Sequence, residues 1–209
     1  MSAIAITRLR QLTVPQRTQL AAIYTDAFPP SERVEFATLV TAAETSARWL
    51  FIATRADSAL GFAIIAPHIG HDVHLLEYLA VARTARGDGI GSTLMRHLAH
   101  ELRAARGILI EVESDAACAG AERVLRQRRI AFYARLGAQV IPGVPNYRTP
   151  NYAGGDTIAM KLLWLPLCDP ATPRSDALRE WVRQIYAQVY HLNANDALVQ
   201  KTFQGMSAP

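Results

Sequence analysis

His74-Leu75-Leu76-Glu77-Tyr78-Leu79-Ala80-Val81 is an apolar run of strand length with one internal carboxylate, and Arg86-Gly87-Asp88-Gly89-Ile90-Gly91-Ser92 follows shortly after it. Glycine then recurs at every second position of that second stretch. Beyond it Leu94, Met95, Leu98 and Leu102 fall on one helical face, opposite Arg96, His97 and Arg103. The spacing predicts strand, glycine loop and helix from Leu75 to Leu102. Gly107 is expected to cap the helix, with Arg103 and Arg106 beside the negative end of its dipole.

Glycines without a Cβ let the backbone take positive φ and approach a ligand closely. Successive N–H groups can then point into one concavity, and the N-terminus of the following helix adds positive potential. Such a place suits phosphate oxygens, and Arg86 adds a cationic fork at its mouth. The competing reading is a strand-to-helix turn that needs glycine for geometry alone. A dinucleotide loop would read G-x-G-x-x-G, whereas Ser92 stands at the third-glycine position here; Glu111 and Glu113 do follow about twenty residues on. The Lys-Ser/Thr pair of a P-loop is missing too. The segment Arg129-Ile130-Ala131-Phe132-Tyr133-Ala134-Arg135-Leu136-Gly137-Ala138, a helix ending in glycine, decides against the dinucleotide reading.

Together these residues resemble the GCN5-related N-acetyltransferase (GNAT) superfamily over about residues 10–165. The family's R/Q-x-x-G-x-G/A loop is matched by Arg86, Gly89 and Gly91, and its L-x-V-x-P strand end by Leu79 and Val81, with Arg83 in place of proline. In its N-x-x-A-x-x-x-Y-x-x-x-G-F helix, Tyr133 and Gly137 match, while Arg126, Arg129 and Ala138 replace Asn, Ala and Phe. The resemblance implies a mixed α/β fold, with a mostly antiparallel central sheet flanked by helices, and acetyl-CoA as cosubstrate. It also implies that Leu79, Ala80 and Val81 line the pantetheine arm, that Arg86, Gly87, Asp88, Gly89, Ile90, Gly91 and Ser92 hold the pyrophosphate, and that Arg129 and Phe132 meet the cofactor. Phe28, Glu32 and Arg33, between the first two helices, are implied at the acceptor.

The 209 residues suffice for one well-buried domain and an appendage, and we expect a domain over 1–168 followed by a C-terminal helical extension over 169–209. A net charge of +4, spread along the chain, fits an anionic cofactor and argues against a nucleic-acid partner. Two isolated cysteines, Cys118 and Cys168, make neither a disulfide framework nor a zinc site, so a reducing, cytoplasmic setting is expected. No signal-peptide pattern opens the chain. The longest apolar stretch, Ala59 to Pro67, is too short to span a membrane.

Thr13 is expected to cap a first helix with Pro15 in its first turn, and Ser31 a second running to about Ala43. Trp49–Thr54 and Leu60–Ala66 read as a hairpin. Pro67–Asp72 reads as a connection whose His68 and His71, with His74 beyond, need not converge on a metal; none is expected. Ile108–Glu113 reads as a strand with Glu111 and Glu113 on one face, candidates to bind a cationic acceptor. Arg123, Arg126, Arg128 and Arg129 either pair with those acids or grip the cofactor's phosphates. The loop from Val140 to Asp156 makes Tyr147 and Tyr152 candidate acceptor contacts. Thr157–Leu165 is the last strand, and Pro166 and Pro170 close the domain. Leu178, Trp181, Val182, Ile185, Tyr186, Val189 and Tyr190 form an apolar helical stripe to be buried on the domain itself or in a homodimer, and the tail from Asn193 reads as weakly ordered.

Transfer of an acyl group from a thioester to an amine needs the amine deprotonated, the carbonyl polarised and the leaving thiolate protonated. No activated nucleophile is required, and no G-x-S-x-G elbow is present. Glu77 is the first candidate for the general base, because desolvation inside an apolar strand raises a carboxylate's pKa; an ion pair with a helix arginine is its structural alternative. Glu113 and Glu111 come next. Tyr133 stands where the family's thiolate-protonating tyrosine stands, with core packing as its alternative. The expected function is N-acetyl transfer to a primary amine of a small molecule or peptide. A non-catalytic acyl-CoA-binding module is the main alternative.

Overall fold

The computed structural model describes residues 3–168 and 173–206. It resolves into two compact units. The first runs up to Pro67 and adds Leu76–Glu101 and Tyr152–Gly154; the second holds His68–Leu75, Leu102–Asn151 and the chain from Gly155.

In the first unit, β1 (Ala5–Leu9) leads to α1 (Val14–Ala27). The expected cap of α1 is complete: the Gln16 N–H donates to Thr13 Oγ1 and the Thr13 N–H to Gln16 Oε1, with Pro15 at the helix start. Ser31 caps nothing. Pro30–Glu32 is one 3-10 turn, and α2 (Phe36–Glu44) begins later with no side-chain cap. The proline pair ends α1 but also holds the next residues extended, which delays the second helix.

β2 (Trp49–Arg55) pairs antiparallel with β1, Ile6 opposite Ala53, and with β3 (Ser58–Gly70), Phe51 opposite Ala63. β4 (Val73–Val81) is the neighbour of β3. Pro67 to Gly70, expected as connection, continue β3, and the turn shrinks to His71-Asp72. A two-residue turn forces β3 and β4 antiparallel. α3 (Ile90–Glu101) buries Leu94, Met95 and Leu98 of the predicted face together with Ile90, and ends one residue before Leu102. Leu20, Tyr24, Leu39, Leu50, Ile52 and Phe62 form a core between α1, α2 and the strands, with Phe28, Phe36 and Tyr78 packed against it.

In the second unit, β5 (Gly107–Glu113) pairs antiparallel with β8 (Ile158–Pro166), Ile110 opposite Leu163. Gly107 therefore opens a strand and caps no helix. A Cβ there would collide with the Trp164 ring, which is why the position is glycine. α4 (Gly120–Ala134) follows. β6 (Gln139–Val140) and β7 (Arg148–Thr149) also pair with β8, so the expected long loop is partly strand. The stripe forms α5 (Ser175–Gln188), with Trp181 stacked on Trp164 at 5.3 Å. Within the tail, α6 (Ala197–Gln204) buries Val199 and Thr202, and the Thr202 hydroxyl shares a 2.8 Å hydrogen bond with that of Tyr186. Pro170 lies outside the described residues.

Candidate functional site

The glycine loop has the predicted geometry. Gly87 (φ 95°) and Gly89 (φ 78°) are left-handed, and a Cβ on either would meet nothing within 4 Å, so the loop's concave side is open. Ile90 and Gly91 begin α3, whose first-turn N–H groups have no intrahelical acceptors by geometry. Free N–H groups at a helix start are of the kind that bind phosphate oxygens. Arg86 is held at the mouth of the loop: its Nε donates to Val81 O at 3.2 Å and its Nη2 to Asp26 Oδ2 at 2.6 Å. Asp26 was not legible from the sequence, lying 60 residues away.

Glu77 is not an isolated carboxylate in an apolar strand. Its Oε2 accepts from Arg48 Nε at 2.5 Å, and the two side chains are 7% and 14% exposed. The partner arginine comes from the approach to β2 and from no helix. Alternation along β4 turns the neighbouring Tyr78 to the other face. There its ring stands edge-on to Tyr24 (5.1 Å) and Phe28 (5.0 Å), and its hydroxyl donates to Glu32 O at 3.2 Å. Burial raises the Tyr78 pKa far above the usual phenol range, and that of Tyr24 to about 12. The sequence reading passed over Tyr78, although period-2 alternation beside Glu77 was the signal for it.

Of the expected acceptor residues in this unit, Phe28 belongs to that aromatic cluster and Glu32 contributes its backbone carbonyl. Arg33 lines a cleft of about 390 Å³ with Tyr24, Phe36 and Tyr152. The Tyr152 N–H donates to Ser31 O at 2.9 Å, which ties the far loop to the α1–α2 turn. Leu79, Ala80 and Val81 stand on the last turn of β4, Ala80 buried and the others half-buried.

In the second unit two of the four arginines, Arg126 and Arg129, form ion pairs with Glu113. Glu113 accepts from Arg126 Nη2 at 3.0 Å and from Arg129 Nη1, and Arg126 Nη1 donates to Ser114 O at 2.8 Å. Glu111, on the same strand face, accepts from the hydroxyls of Tyr147 and Tyr190 (2.8 Å for Tyr190). Tyr147, expected as an acceptor contact in the loop, is 1% exposed. Burial, then the Glu111 charge, push its pKa well up. Tyr133 is 7% exposed near the end of α4, with Phe132 edge-on at 5.0 Å. Burial outweighs the opposing Arg129 charge and raises the Tyr133 pKa, so the hydroxyl keeps its proton at neutral pH.

The His68 and His74 rings are 5.4 Å apart, and His74 Nδ1 accepts from the His68 backbone N–H at 3.2 Å. Among the described residues no group of three His, Cys, Asp or Glu could hold a metal ion, and no helix is long and apolar enough to cross a membrane.

Residues 46–137, from the approach to β2 through the Tyr133 helix, match the profile of the acetyltransferase (GNAT) domain. A GNAT-family protein from Bacteroides thetaiotaomicron superposes with a TM-score of 0.72 at 21% identity, over 90% of this chain and 99% of its own. The ribosomal-protein-S18-alanine N-acetyltransferase of Escherichia coli gives 0.55 at 22%, over 82% and 98%. A Salmonella typhimurium protein solved with its cofactor acetyl-CoA gives 0.55 at 16%, over 83% and 99%. No curated protein matches the chain. Residues 46–137 are thus similar to the GNAT acetyltransferase domain, and the chain shares the fold of those solved structures.

Proposed function

We propose that this protein transfers the acetyl group of acetyl-CoA directly to a primary amine of a small molecule or peptide, with Tyr133 as the acid that protonates the leaving thiolate. The buried Tyr133 carries this reading. Tyr133 is protonated at physiological pH and so can donate, which supports its role as the acid; core packing is its role if the chain is a passive acyl-CoA-binding module. Acetyl-CoA supplies an acyl group already activated as a thioester. The cradle of Gly87, Gly89 and the α3 N-terminus, with Arg86, binds its pyrophosphate, and backbone of Leu79 to Val81 aligns the arm that bears the thioester. Arg33 and the Tyr24–Phe36–Tyr152 cleft receive the acceptor.

Glu77 has two separable roles. As general base it must leave Arg48; as an anchor it stays paired and fixes β4. Thiol release from acetyl-CoA across a panel of amines, with Tyr133→Phe and Glu77→Gln alongside, tests both. Tyr133→Phe is expected to lower kcat about 100-fold with little change in acetyl-CoA binding. An unchanged kcat would remove the acid, and acetyl-CoA binding with no amine-stimulated release would favour the passive module. Glu77→Gln lowers kcat at an unchanged melting temperature if Glu77 is the base. If it is the anchor, the variant loses on the order of 3 kcal/mol of stability, because Arg48 is left buried without its counter-charge.

A further inference from the structure

α4 is a 15-residue helix with a single buried side chain, that of Tyr133. Its apolar Val124 and Leu125 are 46% and 57% exposed, so they do not seat it. Helices of this length in globular proteins are normally fixed by an apolar stripe, and in α4 that stripe is reduced to the buried Tyr133 with the half-buried Ile130 and Phe132 near the helix end. Polar contacts supplement it. Arg126, Arg129 and Tyr133 lie at i, i+3 and i+7, within one face of the helix. The two guanidiniums close on the opposite oxygens of one carboxylate: Arg126 Nη2 on Glu113 Oε1 at 3.0 Å and Arg129 Nη1 on Glu113 Oε2. Arg126 reaches the next carbonyl as well, donating from Nη1 to Ser114 O at 2.8 Å, and its Nη2 holds Glu122 Oε1 of its own helix at 2.5 Å. Glu113 and Arg126 are each 13% exposed, where a charge pair is screened far less than at the surface.

We propose that Glu113, Arg126 and Arg129 form a positioning clasp, which sets the place of Tyr133 relative to the end of β5 where the apolar seat of α4 is small. Arg129 lies one turn before Tyr133, about 6 Å along the axis, so a turn or slide of the helix at the clasp moves the phenol directly. Both arginines stand where the GNAT motif has Asn and Ala, and Glu113 is the counter-charge that makes those replacements compatible. The clasp commits Glu113 to holding a helix, in place of binding a cationic acceptor. A misplacement of about 1 Å at a reacting group costs up to about 100-fold in rate, so a helix held by three side chains gives them leverage over kcat.

The inference rests on Tyr133 being the acid, and the experiment keeps the two apart. Glu113→Gln is made alone and on the Tyr133→Phe background, with kcat, KM for acetyl-CoA, KM for the amine and melting temperature measured for each. The clasp predicts a kcat loss of about tenfold for Glu113→Gln alone, both KM values within about twofold, and almost no further loss on the Tyr133→Phe background. A full additional loss on that background overturns the clasp and leaves the acid standing. A raised amine KM at unchanged kcat also overturns it and returns Glu113 to the acceptor. If Tyr133→Phe alone leaves kcat unchanged, the acid reading and the clasp fall together. Should Glu113→Gln not fold, Glu113→Asp and Arg129→Lys, which keep the charges and change the reach, complete the same cycle.

Discussion

Gly89 combines a left-handed φ of 78° with open space where a Cβ would stand. An alanine there carries the intrinsic strain of that conformation, on the order of 1 kcal/mol. It meets no neighbour within the chain, and in the proposed pyrophosphate cradle its methyl group would hinder the close approach of the phosphates. Gly89→Ala is therefore expected to lower the melting temperature only slightly and to raise the acetyl-CoA Kd at least about tenfold. Titration calorimetry with the folded variant checks this; an unchanged Kd would mean that the loop is a turn and nothing more. The residues whose roles were visible from sequence are of this kind, with the reason for the residue type in the adjacent backbone. Glu77 and Tyr147 were read less well because their partners, Arg48 and Glu111, lie 29 and 36 positions away, and a sequence does not display such pairs.

At the scale of elements, α1, α3, β2, β4, β5 and β8 were legible because the apolar period is clear within each segment, with the Thr13 cap fixing the start of α1 as well. α2 was placed too early, since a serine after Pro29-Pro30 imitates a cap that the extended backbone does not use. α6 was missed because eight residues bury only Val199 and Thr202, and its contacts come from α5 and the strand β7 rather than from its own pattern. α5 carries the larger load. Trp181 is 5% exposed and stacks on Trp164 with ring planes 21° apart, and the Arg106 guanidinium lies 5.5 Å from its ring. Trp181→Ala should cost about 3–5 kcal/mol by opening a cavity between helix and sheet, read as a lower denaturation midpoint. A loss under about 1 kcal/mol would show that α5 contributes little to this unit's stability.

For the molecule as a whole, acid sensitivity has an identifiable source. His74 is 5% exposed; burial and the neighbouring His68 push its pKa down to about 4, against a smaller opposing effect of Asp72. The unfolded chain binds that proton near pH 6.5, so between pH 6.5 and about 4 it holds more protons than the folded one. This contribution to stability is complete above pH 6.5 and is lost as pH falls to about 4, by up to about 3 kcal/mol. His74→Gln keeps an acceptor for the His68 N–H and removes the titration. Its stability should vary less over this window than the parent's, and parallel curves in chemical denaturation would exclude His74 as the source.

The boundary between the two units runs through β3 and β4, each of which contributes residues to both, and Tyr152–Gly154 returns to the first unit from the midst of the second. No single cut of the chain releases either unit. A chimera that borrows an acceptor pocket from a relative therefore cannot be spliced at the unit boundary without severing hydrogen-bonded strands. Its crossover points belong in Leu12–Thr13 before α1 and in the turn Ala56-Asp57, and the donor must also supply the Tyr152 tripeptide as a separate graft.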